Sequence, residues 1–273
     1  MKASLIISVY KNIPFLKTVL DSFRLQTEKD VEIVIAEDGE NQEMLEFVSS
    51  YPFECPYTHV RQKDEGWQKN RILNKAIKAA NGNWLIFIDG DCVMHERFIE
   101  MHLRHVSPRH ILAGKRVKLN AELSTGLMTG SISIPQMQFK LKKMLLGKKS
   151  GATFVEEGIF ISPDGLLRFV PQKRKNKKLV GCNMSFSKEA IYAINGFDED
   201  YTLPAFGEDR DLSWRFNGLG YTHTSLRNLA IVYHLQHPMS WSNQEENFNK
   251  YLKKKDKKEF ICANGLQKLS FSE

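Results

Sequence analysis

The chain has 273 residues, and its 39 Lys and Arg against 32 Asp and Glu give a formal net charge of +7. A composition that is 42% hydrophobic and 26% charged excludes wholesale disorder and fibrous classes. No apolar run approaches the ~20 residues that cross a bilayer, and the N-terminus does not resemble a secretory signal. The four cysteines form no CxxC pair, which argues against a zinc knuckle or a disulfide framework. We therefore expect a reduced, cytoplasmic protein of the size of an enzyme.

The basic excess is confined to three lysine-rich stretches, at 140–149, 173–178 and 250–258. The remainder of the chain is net acidic, whereas a nucleic-acid-binding protein spreads its positive charge along one face or helix. We therefore expect no nucleic-acid partner. Lysine runs attract anionic lipid headgroups, which predicts peripheral contact with the inner face of a membrane; alternatively, they form a solvated face of the protein.

In the N-terminal half, short apolar runs alternate with amphipathic segments. Continuous apolar runs are typical of strands buried on both faces of a parallel sheet. Their alternation with helices predicts an α/β fold with an open, mostly parallel sheet and flanking helices. Asn12 is expected to cap the first helix, and Asn81-Gly82 to end the third with a left-handed stop. The predicted strands are 4–9, 31–36, 57–61 and 84–89, and the predicted helices are 13–23, 42–51, 66–80 and 96–105.

Acidic residues follow two of the predicted strands, at Asp38 and at Asp89 and Asp91. In open α/β sheets ligands bind beyond the carboxyl ends of the strands, which is where these acids lie. Asp89 and Asp91 can both offer oxygens to one hard divalent cation, and Gly90 between them leaves room for a diphosphate. The alternative is that these are ordinary turn residues, since Asp-Gly is common in turns.

Three motifs carry a resemblance to a known family. SLIISVY at 4–10, EIVIAEDG at 32–39 and FIDGDC at 87–92 resemble the N-terminal half of glycosyltransferase family 2, over residues 3–115. The resemblance implies a GT-A (Rossmann-like) fold and metal-dependent transfer of a sugar from a nucleotide-diphosphosugar with inversion. It also implies Mn²⁺ or Mg²⁺ as the cofactor.

The resemblance assigns roles at the donor site. Asp38 would accept the uracil N3–H, Asp89 would lie near the ribose, and Asp91 would ligate the metal. Glu37 stands where the family usually has a second Asp, so either Glu37 or Asp38 could meet the base. The donor-binding residues implied in this way are Val9, Tyr10, Glu37, Asp38, Lys69, Arg71, Asp89, Gly90 and Asp91, with Lys69 or Arg71 as the cation near the phosphates.

The C-terminal part resembles the region shared by galactosyl- and N-acetylgalactosaminyl-transferring members, through GCNMSF at 181–186 and GEDRD at 207–211. Inverting transfer needs a carboxylate that takes the proton of the acceptor hydroxyl. The resemblance favours Asp209 as this base, with Glu208 or Asp211 orienting the acceptor; the alternative is that these acids cap a helix. The expected acceptor- or sugar-binding residues are Asn183, Phe206, Gly207 and Trp214.

Two histidines follow the last predicted strand, 229–233. His234 resembles the late histidine that completes the metal site in relatives, and His237 is the second candidate. Imidazole ligands suit Mn²⁺ better than Mg²⁺.

The chain is expected to divide into a nucleotide-sugar-binding half (1–120), a basic insertion (121–178), an acceptor and catalytic half of the same domain (179–240) and a Lys-rich helical tail (241–273). The expected function is transfer of galactose or N-acetylgalactosamine from a UDP-sugar to a glycan or lipid-linked glycan, in cell-surface polysaccharide synthesis. One alternative is a sugar-nucleotide nucleotidyltransferase, although residues 10–14 lack the glycines of a phosphate loop. The other is a non-catalytic basic module that binds nucleic acid or a surface.

Overall fold

Four N-terminal strands form one half of a seven-stranded sheet. The computed structural model of the chain describes residues 3–145, 147, 151–176, 178–204, 208–238 and 243–270. The four strands are β1 (Ala3–Val9), β2 (Val31–Asp38), β3 (Tyr57–Gln62) and β4 (Trp84–Asp89). They run parallel in the order β3-β2-β1-β4, as the apolar runs predict.

The other strands are short and come from the rest of the chain. They are β5 (Cys92–Met94), β6 (His110–Ala113), β7 (Lys115–Lys118), β8 (Met184–Ser187), β9 (Thr222–Ser225) and β10 (Ile231–His234). β8 pairs antiparallel with β4 and with β6, and β9 lies parallel to β6, which completes the order β3-β2-β1-β4-β8-β6-β9. The predicted open, mostly parallel α/β sheet is confirmed.

Helices cover both faces of this sheet. α1 begins after Asn12, whose side chain accepts a hydrogen bond from Phe15 N, so the predicted cap is present. The apolar side of α1 packs on one face of the sheet and that of α3 on the other. The helices are α1 (Ile13–Phe23), α2 (Gln42–Ser50), α3 (Lys69–Ala79), α4 (Phe98–Arg104), α5 (Ala121–Thr129), α6 (Ile134–Met144), α7 (Phe169–Lys173), α8 (Lys188–Ala193), α9 (Glu208–Gly218) and α10 (Glu245–Asp256), with a 3-10 turn at Val155–Gly158.

A second sheet of three strands, in the order β5-β10-β7, supports part of the 121–178 segment. β10 is antiparallel to β5 and parallel to β7. Leu123 of α5 and Leu141 of α6 share one apolar cluster with Val117 and Tyr233 of this sheet. The segment that the sequence marks as a basic insertion therefore has an apolar attachment to the rest of the fold.

The predicted end of the third helix is wrong. α3 ends at Ala79, and Ala80 has extended backbone angles (φ −65°, ψ 135°) in place of a left-handed stop. Gly82 does not have a positive φ, but a Cβ there would lie 2.4 Å from the carbonyl carbon of Ala3. Glycine is needed because two backbones approach closely. The helix also begins later than 66, since Gly66 has a left-handed φ of 83°.

The lysine-rich C-terminal helix is present as α10, and one of its lysines forms ion pairs with acids of the main body of the fold. Lys254 pairs with Asp198 and with Asp200, at 2.7 Å from the latter. This lysine therefore holds α10 to the body of the protein. In the part of the chain that the structure describes, no helix combines the length and the apolar character needed to cross a membrane.

Candidate active site

A cavity of about 630 Å³ opens at the carboxyl ends of β1 and β4. From β1 the chain moves outward to β2 and β3 on one side, and it returns to β4 on the other side of β1. A crevice forms where the strand order reverses in this way, as is usual for ligand sites in open α/β sheets. We call it the donor cavity. Of the residues predicted to bind the donor, it brings together Val9, Tyr10, Asp38, Lys69, Asp89, Gly90 and Asp91.

The two adjacent acids at the end of β2 occupy different environments. Asp38 lines the donor cavity, where its carboxylate accepts hydrogen bonds from Gln62 Nε2 (2.8 Å) and Gln68 N (2.9 Å). Burial raises the pKa of Asp38, and these two bonds oppose the shift. Glu37 is fully buried and accepts a hydrogen bond from Arg61 Nε at 3.0 Å. Asp38 is therefore the acid that can contact a ligand. Glu37 instead links the carboxyl end of β2 to Arg61 of β3.

Gly90 is required by close packing against β1. A Cβ at this position would lie 2.7 Å from Val9 Cγ1 and 3.0 Å from Ser8 O. The Gly90 N–H also donates to Ser8 O at 2.8 Å. The sequence suggests that glycine leaves room for a diphosphate, but the nearest obstacle to a side chain is the neighbouring strand.

Lys69, in the first turn of α3, connects two acidic motifs that are far apart in the sequence. Its Nζ lies 2.8 Å from Asp89 Oδ1 and 3.0 Å from Glu208 Oε1. Burial alone would lower the pKa of Lys69, but the two carboxylates outweigh it and raise the pKa. Burial raises the pKa of Glu208 to about 7, against the opposing effect of Lys69. Glu208 is thus a carboxyl group that exchanges its proton near neutral pH.

Asp91, His234 and His237 form a group that we call the histidine cluster. The pairing of β5 with β10 sets His234 opposite Cys92, next to Asp91. The Nε2 atoms of His237 and His234 lie 3.0 and 3.4 Å from Asp91 Oδ2. Burial would raise the pKa of Asp91, but the two imidazoles outweigh it and lower the pKa to about 2. A carboxylate and two imidazoles within 4.8 Å of one another fit a Mn²⁺ ion.

A second cavity of about 220 Å³ continues from the donor cavity. We call it the acid cavity, because Glu208 and Asp209 at the start of α9 line it. It shares Trp67, Lys69 and Asp89 with the donor cavity. Burial raises the pKa of Asp209, and the charge of Lys69 opposes the shift. Among the described residues Asp209 makes no ion pair, whereas Glu208 is held by Lys69.

Two residues with predicted roles at the acceptor site lie in the core instead. The Asn183 amide is fully buried and donates to the backbone oxygens of Lys115 (2.7 Å) and Ala230 (2.9 Å). Asp211 is also buried and accepts a hydrogen bond from Arg215 Nε at 2.6 Å. Neither side chain lines the donor or the acid cavity. Both hold separate segments together.

Trp214 and Arg71 do not line the two cavities either. The Trp214 ring packs against the rings of Tyr251 and Phe260, at centroid distances of 5.9 and 5.1 Å. Arg71 is half-exposed and pairs with Glu65 at 2.9 Å. Of the two cations that the resemblance proposes near the phosphates, only Lys69 lines the donor cavity.

The acid cavity also contains Gly181 and Arg116, which are not among the residues predicted to bind a ligand. A Cβ on Gly181 would lie 2.2 Å from Glu208 Oε1, so glycine lets this carboxylate lie against the wall. Gly181 could have been found from the sequence, because it belongs to the GCNMSF segment. Arg116 lies on a short strand that carries no motif. Phe206 and Gly207, expected beside them, lie outside the described residues.

The chain matches two family descriptions in succession. Residues 4–157 match the family model of glycosyl transferase family 2. Residues 167–238 match a family model named N-terminal domain of galactosyltransferase. The first match contains the acids of the donor cavity and covers more than half of the chain. The second contains Glu208, Asp209 and both histidines of the histidine cluster.

Known proteins are similar to the chain over most of its length. Chondroitin synthase of Escherichia coli is 26% identical over 244 residues, which is 86% of this chain but only 35% of that protein. The structure of GalNAc-T7 with UDP, GalNAc and Mn²⁺ aligns with a TM-score of 0.63 at 13% identity, over 93% of this chain and 48% of the other. TarS 1–349 of S. aureus in complex with UDP-GlcNAc aligns with a TM-score of 0.58 at 17% identity, over 91% and 64%. These likenesses show a GT-A fold.

Proposed function

The chain belongs to glycosyltransferase family 2, and from that premise we propose that it transfers a sugar from a UDP-sugar to a glycan acceptor, with inversion at the anomeric carbon. The observation that carries the proposal is the continuity of the two cavities. The donor cavity and the acid cavity share Lys69 and Asp89. The sugar of a donor bound in the first cavity would therefore extend toward the carboxylates of the second.

Asp209 is the proposed base, and Glu208 the residue that orients the acceptor. A base must be unprotonated and free to receive a proton, and it works best when its pKa approaches the operating pH. Asp209 makes no ion pair among the described residues, and burial raises its pKa in that direction. Glu208 is engaged by Lys69 at 3.0 Å. Asp211, the third candidate, is buried beside Arg215 outside the cavity.

The transfer then follows from these positions. The acceptor hydroxyl oxygen forms a bond to the anomeric carbon while its proton passes to Asp209. The bond between that carbon and the diphosphate oxygen breaks, and the electron pair leaves on the diphosphate. Asp91, His234 and His237 would hold a divalent cation, Mn²⁺ in preference to Mg²⁺. When bound, this cation supplies positive charge for the leaving diphosphate.

Galactose or N-acetylgalactosamine is the proposed sugar, since residues 167–238 match a galactosyltransferase description. The similar structures were solved with UDP and GalNAc or with UDP-GlcNAc, so these ligands and UDP-galactose are the first to test. The E. coli relative named chondroitin synthase supports a glycan acceptor and a place in polysaccharide synthesis. Membership of family 2 argues against the nucleotidyltransferase alternative.

The test is thermal unfolding with UDP, GDP or CMP, each with and without Mn²⁺. We expect stabilisation by UDP with Mn²⁺, about 2.7 kcal/mol at a hundredfold excess over the dissociation constant, because the ligand binds only the folded state. Asp91→Asn should remove the effect, while Asp21→Asn, at a half-exposed acid that is paired with Lys17 and lies outside both cavities, should keep it. A response to GDP or CMP alone would contradict the donor. No response to any nucleotide would contradict the function.

We also propose that the acceptor is lipid-linked and that the protein meets an anionic bilayer through an apolar tip, formed by Leu166, Leu167 and Phe169. These side chains are 98%, 57% and 49% exposed. Arg168 lies between Leu167 and Phe169, and Lys173 follows four residues later. Apolar side chains next to basic ones are typical of interfacial anchors. The chain continues from this tip to Val180 and Gly181 in the wall of the acid cavity.

Vesicle flotation tests the apolar tip. We expect binding to vesicles that contain phosphatidylglycerol and not to phosphatidylcholine vesicles, with a loss of at least about tenfold in Leu166→Glu/Leu167→Glu. Leu25→Glu is the matched control, because Leu25 is 52% exposed and lies outside the tip. Equal flotation of the tip variant and the wild type, or no flotation of either, would overturn the membrane contact without affecting the transferase proposal.

A further inference from the structure

Arg116 is a cation in the acid cavity that no sequence motif indicates. It lies on β7 beside Val232 of β10, and its side chain lines the cavity together with Asp89, Glu208 and Asp209. The positive charge of Arg116 acts on His237 of the histidine cluster as well as on Asp209. The guanidinium is therefore within electrostatic reach of both the proposed metal site and the proposed base.

Hydrogen bonds to the described residues use few of the N–H donors of Arg116. Its Nη1 contacts Cys182 Sγ at 3.7 Å, and sulfur is a weak acceptor. Within the described ranges, Arg116 forms no ion pair with any carboxylate. The other cation of the cavity, Lys69, already binds both Asp89 and Glu208. Among the residues that the structure describes, the lysine of this cavity is thus paired twice, whereas its arginine has no anionic partner.

A guanidinium in this position favours a ligand with a planar or tetrahedral group of oxygens. Arg116 is only partly accessible to solvent, so its charge is incompletely hydrated. Burying a charge without a partner costs free energy, which a bound anion would recover. The five N–H donors of arginine match the oxygens of a carboxylate or a phosphate bidentately, a geometry that lysine does not reproduce.

We propose that Arg116 binds an oxyanion of the sugar-nucleotide donor, which is either its diphosphate or the carboxylate of a hexuronosyl group. This inference rests on the proposed function and deepens it. If the oxyanion is the diphosphate, Arg116 stabilises the electron pair that moves onto the leaving oxygen when the bond to the anomeric carbon breaks. If it is a sugar carboxylate, Arg116 selects an acidic sugar as the group to be transferred, in place of the galactose or N-acetylgalactosamine proposed above.

The experiment compares the binding of UDP, UDP-glucose and UDP-glucuronic acid, measured by titration calorimetry with Mn²⁺, in the wild type and in Arg116→Gln. Loss of a charge-assisted bidentate contact corresponds to about a tenfold to hundredfold weaker affinity. An equal loss for all three ligands identifies the diphosphate. A loss confined to UDP-glucuronic acid identifies the carboxylate. Unchanged affinity for all three, within about twofold, overturns the inference.

Two further variants keep the result interpretable. Arg116→Lys keeps the positive charge but not the planar, bidentate arrangement of N–H donors. It should therefore fold like the wild type and still lose about threefold to tenfold in affinity for the donor. Arg24→Gln is the matched control, because Arg24 is an exposed arginine paired with Glu54 and lies outside both cavities; its affinities should not change. Failure of the wild type to bind UDP would overturn the proposed function, whereas wild-type affinity in both Arg116 variants would overturn only the role of Arg116.

Discussion

Replacing Glu208 with Gln should stabilise the protein at alkaline pH. Burial raises the pKa of this carboxyl to about 7, from an ordinary value of 4.5. Between these two pH values the folded protein holds a proton that the unfolded chain has released, so the folded state loses stability as the pH rises. At ~1.36 kcal/mol per pH unit, the interval amounts to about 3 kcal/mol, all of it lost once the pH exceeds 7.

Urea unfolding of the wild type and Glu208→Gln between pH 5 and pH 8 measures this loss. Gln has the shape of the protonated Glu and does not titrate, so the variant should exceed the wild type by less than about 1 kcal/mol at pH 5 and by about 3 kcal/mol at pH 8. Glu122→Gln, at an exposed acid, should show no such trend. A difference that does not change with pH, or a variant that is less stable at pH 8, would refute the reasoning.

Three other substitutions test the site and its support. Asp209→Asn should reduce the transfer rate by about a hundredfold or more and leave UDP affinity within about twofold, since a base acts in the transition state; retained turnover in a kinetic assay would shift the role to Glu208. Gly181→Ala should displace the Glu208 carboxylate and cost at least about tenfold in turnover at unchanged UDP affinity, and a normal rate would show that this wall is not needed. Asp211→Asn leaves Arg215 uncompensated in the core and should lower the free energy of unfolding by about 3–5 kcal/mol, measured in urea; a cost below about 1 kcal/mol would contradict its structural role.

The parallel half of the sheet could be predicted because each strand is a continuous apolar run. The predicted strand at 84–89 coincides with β4, and β2 only extends two residues beyond its predicted end. The shorter β6 and β8 could not be found in this way, because four residues carry too little periodicity. Their burial depends on pairing between distant segments, such as Ile86 of β4 with Ser185 of β8.

The chemical types at the site were predictable, but their contacts were not. Acids at the carboxyl ends of parallel strands indicate the edge of the sheet at which a ligand binds. The contact of His237 with Asp91, in contrast, depends on how β5 and β10 pair. Lys69 and Arg71 lie two positions apart on one helix, so they point to different sides, and the sequence could not choose between them. Asn183 occurs in a motif that resembles the family, but its amide satisfies buried backbone oxygens, a role that only tertiary structure reveals.

The antiparallel pairing of β8 with β4 has a consequence for hybrid enzymes. The two family descriptions meet between residues 157 and 167, which suggests a boundary for exchanging acceptor modules between relatives. In three dimensions that cut would separate strands that share backbone hydrogen bonds, from Trp84 with Ser187 to Phe87 with Met184. The halves should therefore fold cooperatively and not as exchangeable fragments. A chimera is more promising when it replaces only the 121–178 segment, whose described residues contribute no strand to the seven-stranded sheet.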